Sequence, residues 1–600
     1  MKSRWLVMAL ALTVGTGLAA PQALGSPKEA PPTAAQAAKN VVDAAPMLDN
    51  GLAVDAPLMG WSGWGFLQRD PTAGKFKAQV DALVSSGLKD LGYNYANMDD
   101  FWYKCPGSQG PDVDANGRWV TDGSLFPGSG SKDGMETLAD YVHGKGLKFG
   151  LYVTPGISAQ AVEKKTKIKG TSYTADQIAT SSSASNFNCK GMRNIDFSKP
   201  GAQEFIDSWA DQFAGWGVDY LKLDGVGPSK TADVTAWSKA LGQTGRPIAL
   251  NLSASLSASN GATWSKLANS WRIDGDIGAS PKGQSFPLTS WANVSKRFDD
   301  AAKYQPYAGK GGWNDLDSFG VGNGDNDGIT PPQRQTNMAL WALAGSQYML
   351  GADLTHLDPG DKALLANKRL IAIDQDGIPA SRVIKSGNEQ VFAKREKNGT
   401  WYIGVFNTDT SSSHTFSLPL AQLGLSGSAK ITDVINNDKP LGTVSTYTTS
   451  VAPGGVALIA AVPTSGTGGT GALVSAQSGK CVDTDGGNVY LSGTKEQIWD
   501  CNGGLNQQIS PTSTGELRTM GATECLDVFE NGTTPGTKVS QWNCHGGTSQ
   551  KWTVKSDGTI VAQKSGLCLD VKGAKTANGT ELQLWTCNGG ANQKWSWDQH

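Results

Sequence analysis

From residue 472 to its end the chain repeats itself. Cys481-Val-Asp, Cys525-Leu-Asp and Cys568-Leu-Asp follow one another at intervals of 44 and 43 residues. Each copy continues to a Trp two residues before a second Cys (Trp499, Trp542, Trp585), then a Gly-Gly turn and a closing Gln-x-apolar step at Gln507-Gln508-Ile509, Gln550-Lys551-Trp552 and Gln593-Lys594-Trp595. A period of this length marks units that complete one another's core. Three copies built from short alternating segments predict a closed three-lobed β-structure. Six of the eight cysteines lie here, and pairing neighbours (Cys481–Cys501, Cys525–Cys544, Cys568–Cys587) closes loops of similar size, which leaves Cys105 to pair with Cys189. An even cysteine count fits an oxidising compartment.

Residues 472–600 resemble a ricin-type β-trefoil carbohydrate-binding module. The resemblance implies up to three sugar sites, each with an Asp, an aromatic platform and polar partners. In the first lobe these are Asp483, Gln497, Trp499, Asn506 and Gln507; in the third, Asp570, Gln583, Trp585, Asn592 and Gln593. The second keeps Asp527, Trp542 and Gln550 but has Ser540 and Ser549 where the others have Gln and Asn, so its site is expected to be the weaker. The chemistry is coherent: hydroxyls need bidentate polar groups, and the apolar face of a sugar needs a flat ring.

Lys2 and Arg4, an apolar run from Leu6 to Ala20 and small residues through Gly25 read as a secretory signal over 1–25, too short to span a bilayer. Residues 26–54, rich in Ala and Pro, read as a linker, as does the Gly/Thr stretch 464–471. Between them, 381–463 alternates apolar and polar residues around Asn-Gly and Pro-Gly-Gly turns and predicts a small antiparallel β-sandwich domain. With 52 basic against 54 acidic residues, the chain is not built as a broad phosphate-binding surface, and neither nucleic acid nor membrane is expected as a partner. The five His are scattered, no Cys pair has metal-ligand spacing, and Asp325-Asn326-Asp327-Gly328 lacks the Glu of a calcium loop; no metal and no cofactor is expected.

Residues 55–380 alternate helical and strand patterns. The helix predicted over Gln203 to Trp216 puts Phe205, Ile206, Trp209, Phe213 and Trp216 on one stripe, and a buried strand, Val218 to Asp224, follows at once. Such alternation over this length favours a (β/α)8 barrel, whose reactive residues stand at the C-terminal strand ends. Four such ends are acidic: Asp99-Asp100, Asp224 after Lys222, Asp274 and Asp276 after Arg272, and Asp315 with Asp317. One Asp at a strand end is more often a cap or loop anchor. Four together fit a glycosidase, with two carboxylates for chemistry and the rest for hydroxyls.

The stretches Pro57-Leu-Met-Gly-Trp-Ser-Gly-Trp64, Met98-Asp-Asp-Phe-Trp102, Trp216-Gly-Val-Asp-Tyr-Leu-Lys-Leu-Asp224, Ser270-Trp-Arg272 with Gly275-Asp-Ile277, and Gly311-Gly-Trp-Asn-Asp-Leu-Asp317 resemble glycoside hydrolase family twenty-seven, the α-galactosidases and α-N-acetylgalactosaminidases. The resemblance implies a retaining mechanism with Asp224 as nucleophile and Asp276 as acid and base, protonated at rest. It implies substrate contacts from Trp64, Asp99, Asp100, Tyr152, Lys222, Ser253, Arg272 and Asp317. Two departures stand out. Thr154 and Val226 replace family residues at the mouth, which removes a family disulfide, and a Lys/Ser/Thr-rich loop runs from Ala159 to Cys189. The segment Leu250 to Leu256 lacks the Glu-Trp pair typical of α-galactosidases. The expectation is a secreted, extracellular α-galactosidase acting on carbohydrate. The alternatives are α-N-acetylgalactosaminidase, β-L-arabinopyranosidase, a dextran-cleaving isomaltose-releasing enzyme, and a lectin with an inactive barrel. Oligomeric state is left open.

Overall fold

The helix-then-strand rhythm closes on itself. The computed structural model describes residue 52 and residues 54–598, apart from 185, 255, 257, 310, 397, 424, 426, 465–470, 486–491, 513 and 520–523. The expected signal over 1–25 lies outside the described residues, as does most of both expected linkers. Strands β1 (Met59–Ser62), β2 (Tyr95–Asn97), β3 (Lys148–Val153), β4 (Tyr220–Asp224), β5 (Ala249–Ser253), β6 (Ser270–Arg272), β7 (Trp313–Asp315) and β8 (Tyr348–Leu350) form one sheet in the order β7-β6-β5-β4-β3-β2-β1-β8. All its pairings are parallel, and a parallel bridge from Phe319 to Leu350 brings the chain after β7 beside β8. This is the expected (β/α)8 barrel.

The helices of the barrel include α1 (Ala73–Ser85), α2 (Gly134–Gly144), α3 (Ala202–Trp216), α4 (Thr231–Gln243), α5 (Gly261–Leu267), α6 (Trp291–Tyr304), α7 (Pro331–Ala344) and α8 (Lys368–Gln375). Helix α3 buries the predicted stripe, and Gly217, at φ 85°, ends it in the left-handed conformation that turns the chain back into β4. In β4, Tyr220, Lys222 and Asp224 share one face because side chains alternate along a strand.

Six antiparallel strands between Ser381 and Pro463, with a two-stranded partner sheet (His414–Pro419 and Thr446–Val451), make the sandwich. It shares a continuous core with the barrel through α7, in which every residue from Thr336 to Ala344 is buried. Trp341 donates to the Asp317 carbonyl at the barrel mouth (2.8 Å), Thr336 donates to the Gly454 carbonyl of the sandwich (2.7 Å), and a Cβ on Gly404 would stand 2.6 Å from Leu343.

The trefoil closes by pairing its first strand (Ala472–Ser475) with its last (Trp595–Asp598). Trp552 and Trp595, from the closing Gln-x-Trp steps, lie in its core. Lobe one packs on the rest of the molecule. Leu505 joins the sandwich core, Trp499 meets Tyr307 edge-on at 5.4 Å, and a Cβ on Gly504 would stand 2.4 Å from the Gln305 side-chain amide, which marks how closely the two regions approach.

Candidate active site

At the C-terminal end of the barrel strands is a cavity of about 360 Å³, lined by Trp64, Asp99, Asp100, Tyr152, Lys222, Asp224 and Asp276 among others. These seven predicted residues come from the ends of β1, β2, β3, β4 and β6. The backbone is strained around them: Phe101 (φ 69°), Ala254 (φ 134°) and Asp317 (φ 81°) hold left-handed conformations without being glycine. Such strain persists only where the surroundings enforce it, and it clusters at functional sites.

Lys222 is buried and donates to Asp99 at 2.8 Å. Burial lifts the Asp99 carboxyl to about 6, although the Lys222 charge and hydrogen bond pull the other way. Burial also raises Asp100, against hydrogen bonds from Asn188, Tyr103 (2.7 Å) and the Phe101 amide (2.8 Å). The Tyr152 hydroxyl is buried with no hydrogen-bond partner among the described residues, and its ring lies 5.7 Å from the Lys222 ammonium. An unsatisfied buried hydroxyl beside a cavity is a group that a ligand can satisfy.

Asp276 opens toward the mouth, with 58 % of its side chain exposed. Desolvation alone would raise its carboxyl. The charges of Arg272 and Lys222 and hydrogen bonds from Arg272 and Trp64 outweigh that and hold it below the ordinary carboxylate range. The expected proton at rest is therefore corrected: a guanidinium 3.1 Å away favours the anion. Arg272 also pairs with Asp317 at 2.9 Å, and Asp317 accepts from the Ile277 amide at 2.7 Å. Arg272 and Asp317 thus brace the Asp276 loop from beneath the cavity rather than line its wall. Ser253 sits buried at the end of β5, in register with Asp224, while its neighbour Ala254 lines the cavity.

The sequence reading missed Arg69, Phe187, Asn188 and Gly275, which complete the lining. Two of these stand on the insert after β3, expected as a loop. It folds as a three-stranded sheet (Ile157–Ser158, Ala179–Ala184, Met192–Ile195) with two short helices. Cys189 of the insert is bonded to Cys105, just past the Asp99-Asp100 turn. That pairing was the available signal, because it ties the residues before Cys189 to the carboxylate pair. The other disulfides join Cys481 to Cys501, Cys525 to Cys544 and Cys568 to Cys587.

In the trefoil, Asp483 accepts from Gln497 (3.0 Å), Asn506 (2.7 Å) and Gln507 (2.9 Å). Asp570 accepts from Gln583 (2.9 Å), Asn592 (2.7 Å) and Gln593 (2.9 Å). Asp527 has Ser549 at 2.9 Å and His545 at 3.4 Å. Trp542 and Trp585 are exposed by 42 % and 41 %, whereas Trp499 is partly covered by Tyr307.

Comparison with known proteins agrees with this architecture. Residues 57–177 and 187–376 match the family described as Alpha galactosidase A, 386–461 the Alpha galactosidase C-terminal beta sandwich domain, and 469–595 the Ricin-type beta-trefoil lectin domain. The chain is 31 % identical over 396 residues to Alpha-galactosidase 2 of Arabidopsis thaliana, covering 65 % of this chain and 83 % of that protein. To the Alpha-N-acetylgalactosaminidase of Gallus gallus it is 29 % identical over 443 residues, covering 68 % and 94 %. Among solved structures, the β-L-arabinopyranosidase of Geobacillus stearothermophilus matches with a TM-score of 0.63 at 28 % identity, over 69 % of this chain and 97 % of that one. Alpha-galactosidase I of Mortierella vinacea matches at 0.54 and 27 %, over 70 % and 100 %.

Proposed function

Because the chain belongs to the α-galactosidase family, glycoside hydrolase family twenty-seven, we propose that it is a secreted exo-enzyme that releases terminal α-D-galactose with retention and is tethered to polysaccharide by its trefoil. The observation that carries this reading is the shared cavity: Asp224 and Asp276 line it together with Asp99 and Asp100, which Lys222, Tyr103 and Asn188 hold in place. Asp224 attacks the anomeric carbon. Asp276 gives its proton to the glycosidic oxygen, and the leaving group departs with the bonding electrons. The resulting glycosyl–Asp224 ester is cleaved by water, whose proton returns to Asp276. This geometry requires the carboxyls to stand about 5–5.5 Å apart across the ring. The Arg272 and Lys222 charges favour the Asp276 anion, so the proton it donates is taken up as the sugar displaces water and strengthens desolvation. Asp99 and Asp100 take the hydroxyls of the glycone, and Trp64 supplies the wall beneath it.

The matched β-L-arabinopyranosidase supports a second reading, since that sugar is galactose without its hydroxymethyl group. The short side chain of Asp100 leaves room for the larger sugar and favours galactose. Aryl α-galactoside, α-N-acetylgalactosaminide and β-L-arabinopyranoside assayed side by side test the choice; fastest turnover of either of the last two replaces the assignment. Asp224→Asn is expected to abolish hydrolysis while leaving polysaccharide binding intact. Deleting 464–600 is expected to slow action on insoluble polymer and spare the aryl glycoside. Exported protein with a new N-terminus near residue 25 supports secretion.

A further inference from the structure

One wall of the cavity has no part in the chemistry above. Phe187 is 56 % exposed and lines the glycone cavity on one side. It also lines a second cavity of about 520 Å³, whose lining includes Glu163, Lys190 and Arg193. A ring so exposed contributes little to folding, yet the backbone that presents it is tied at every neighbouring residue. Asn186 accepts from the Cys189 amide at 2.8 Å and donates to the Tyr103 hydroxyl at 3.1 Å. Asn188 donates to Asp100. Cys189 is bonded to Cys105. Of the four residues Asn186 to Cys189, only the Phe187 side chain is free of such ties, and it is the one facing both cavities.

We propose that Phe187 is the platform for the leaving-group sugar, and that the cavity beyond it takes the next unit of an oligosaccharide. The chemistry matches: a flat apolar ring for the face of a pyranose, continuous with the glycone site, and charged side chains within reach of hydroxyls. The Asn188–Asp100 hydrogen bond sets the platform's position relative to the glycone, so the arm links recognition of one sugar to placement of the next. This rests on the glycosidase reading above.

The test compares melibiose, whose leaving group is a glucose, with α-galactosyl fluoride, whose leaving group has no ring. In the full chain, Phe187→Ala is expected to lower kcat/KM for melibiose about tenfold more than for the fluoride. Phe187→Trp is expected to restore the disaccharide. An equal loss on both substrates overturns the proposal, because the ring would then shape the glycone pocket or the fold. No loss on either overturns it as well, while leaving the glycosidase reading intact. A wild-type chain inert toward both substrates removes that reading and this one together.

Discussion

Asp483 in lobe one and Asp570 in lobe three each receive hydrogen bonds from the same three amides, at distances that agree to within 0.1 Å. Their surroundings differ. Lobe three presents Trp585 to solvent. Lobe one is closed, with Tyr307 against Trp499, Gln305 against Gly504, and Leu505 drawn into the sandwich core. Asp483 is fully buried, and burial lifts its carboxyl to about 7 against the hydrogen bonds from Gln497 and Gln507. The same cradle thus stands beside an exposed ring in lobe three and within a docking face in lobe one, with its Asp buried in both. What separates them stands on the barrel, far away in the chain.

The largest expected effect tests the open lobe. Asp570→Ala is expected to weaken retention of the full chain on galactomannan by more than about tenfold, since each charged hydrogen bond lost is worth about 1.5–3 kcal/mol. Affinity electrophoresis reads it, and unchanged mobility would place recognition elsewhere. Asp483→Ala is expected to leave that affinity unchanged but to lower stability by about 1–3 kcal/mol, because it strands buried amide donors; calorimetry checks this. Asp483 also predicts a pH dependence. A carboxyl whose folded value lies above its unfolded one contributes fully below the unfolded value, 3.8, and loses that contribution as pH rises through about 7. The melting temperature of the docked lobe should therefore fall between pH 4 and 7, and Asp483→Asn should flatten that slope. Tyr307→Ala is expected to cost about 1 kcal/mol and to add one sugar site per chain, counted by titration calorimetry. Asp527→Ala, in the lobe with Ser540 and Ser549, is expected to change retention less than Asp570→Ala does, by about twofold.

The contrast also marks what a sequence can disclose. The barrel was legible because helix stripes and buried strands have different periods, and the trefoil because its repeat is exact enough to align. Asp99, Asp100, Asp224 and Asp276 were legible because barrel strands deliver their ends to one mouth. Through-space facts were not. Nothing local in Phe187-Asn188 reveals the cavity wall, and nothing around Asp276 reveals that Arg272, Lys222 and Trp64 together outweigh its desolvation. The choice between Ser253 and Ala254 as wall residue turns on the φ of Ala254, which no spacing encodes. Lobe one looked as open as lobe three because Gln305 and Tyr307 lie almost two hundred positions before the Asp they cover.

From Thr336 to Ala344, helix α7 has no face left for water: one side supports the Asp317 backbone and the other fills the sandwich. Peeling the sandwich away would leave a greasy rod on the outside of the barrel, and the catalytic loop would lose a prop with it. Barrel and sandwich must therefore be inherited, cloned or transplanted as one piece, and a designer seeking a smaller catalyst has to rewrite that helix before removing anything behind it.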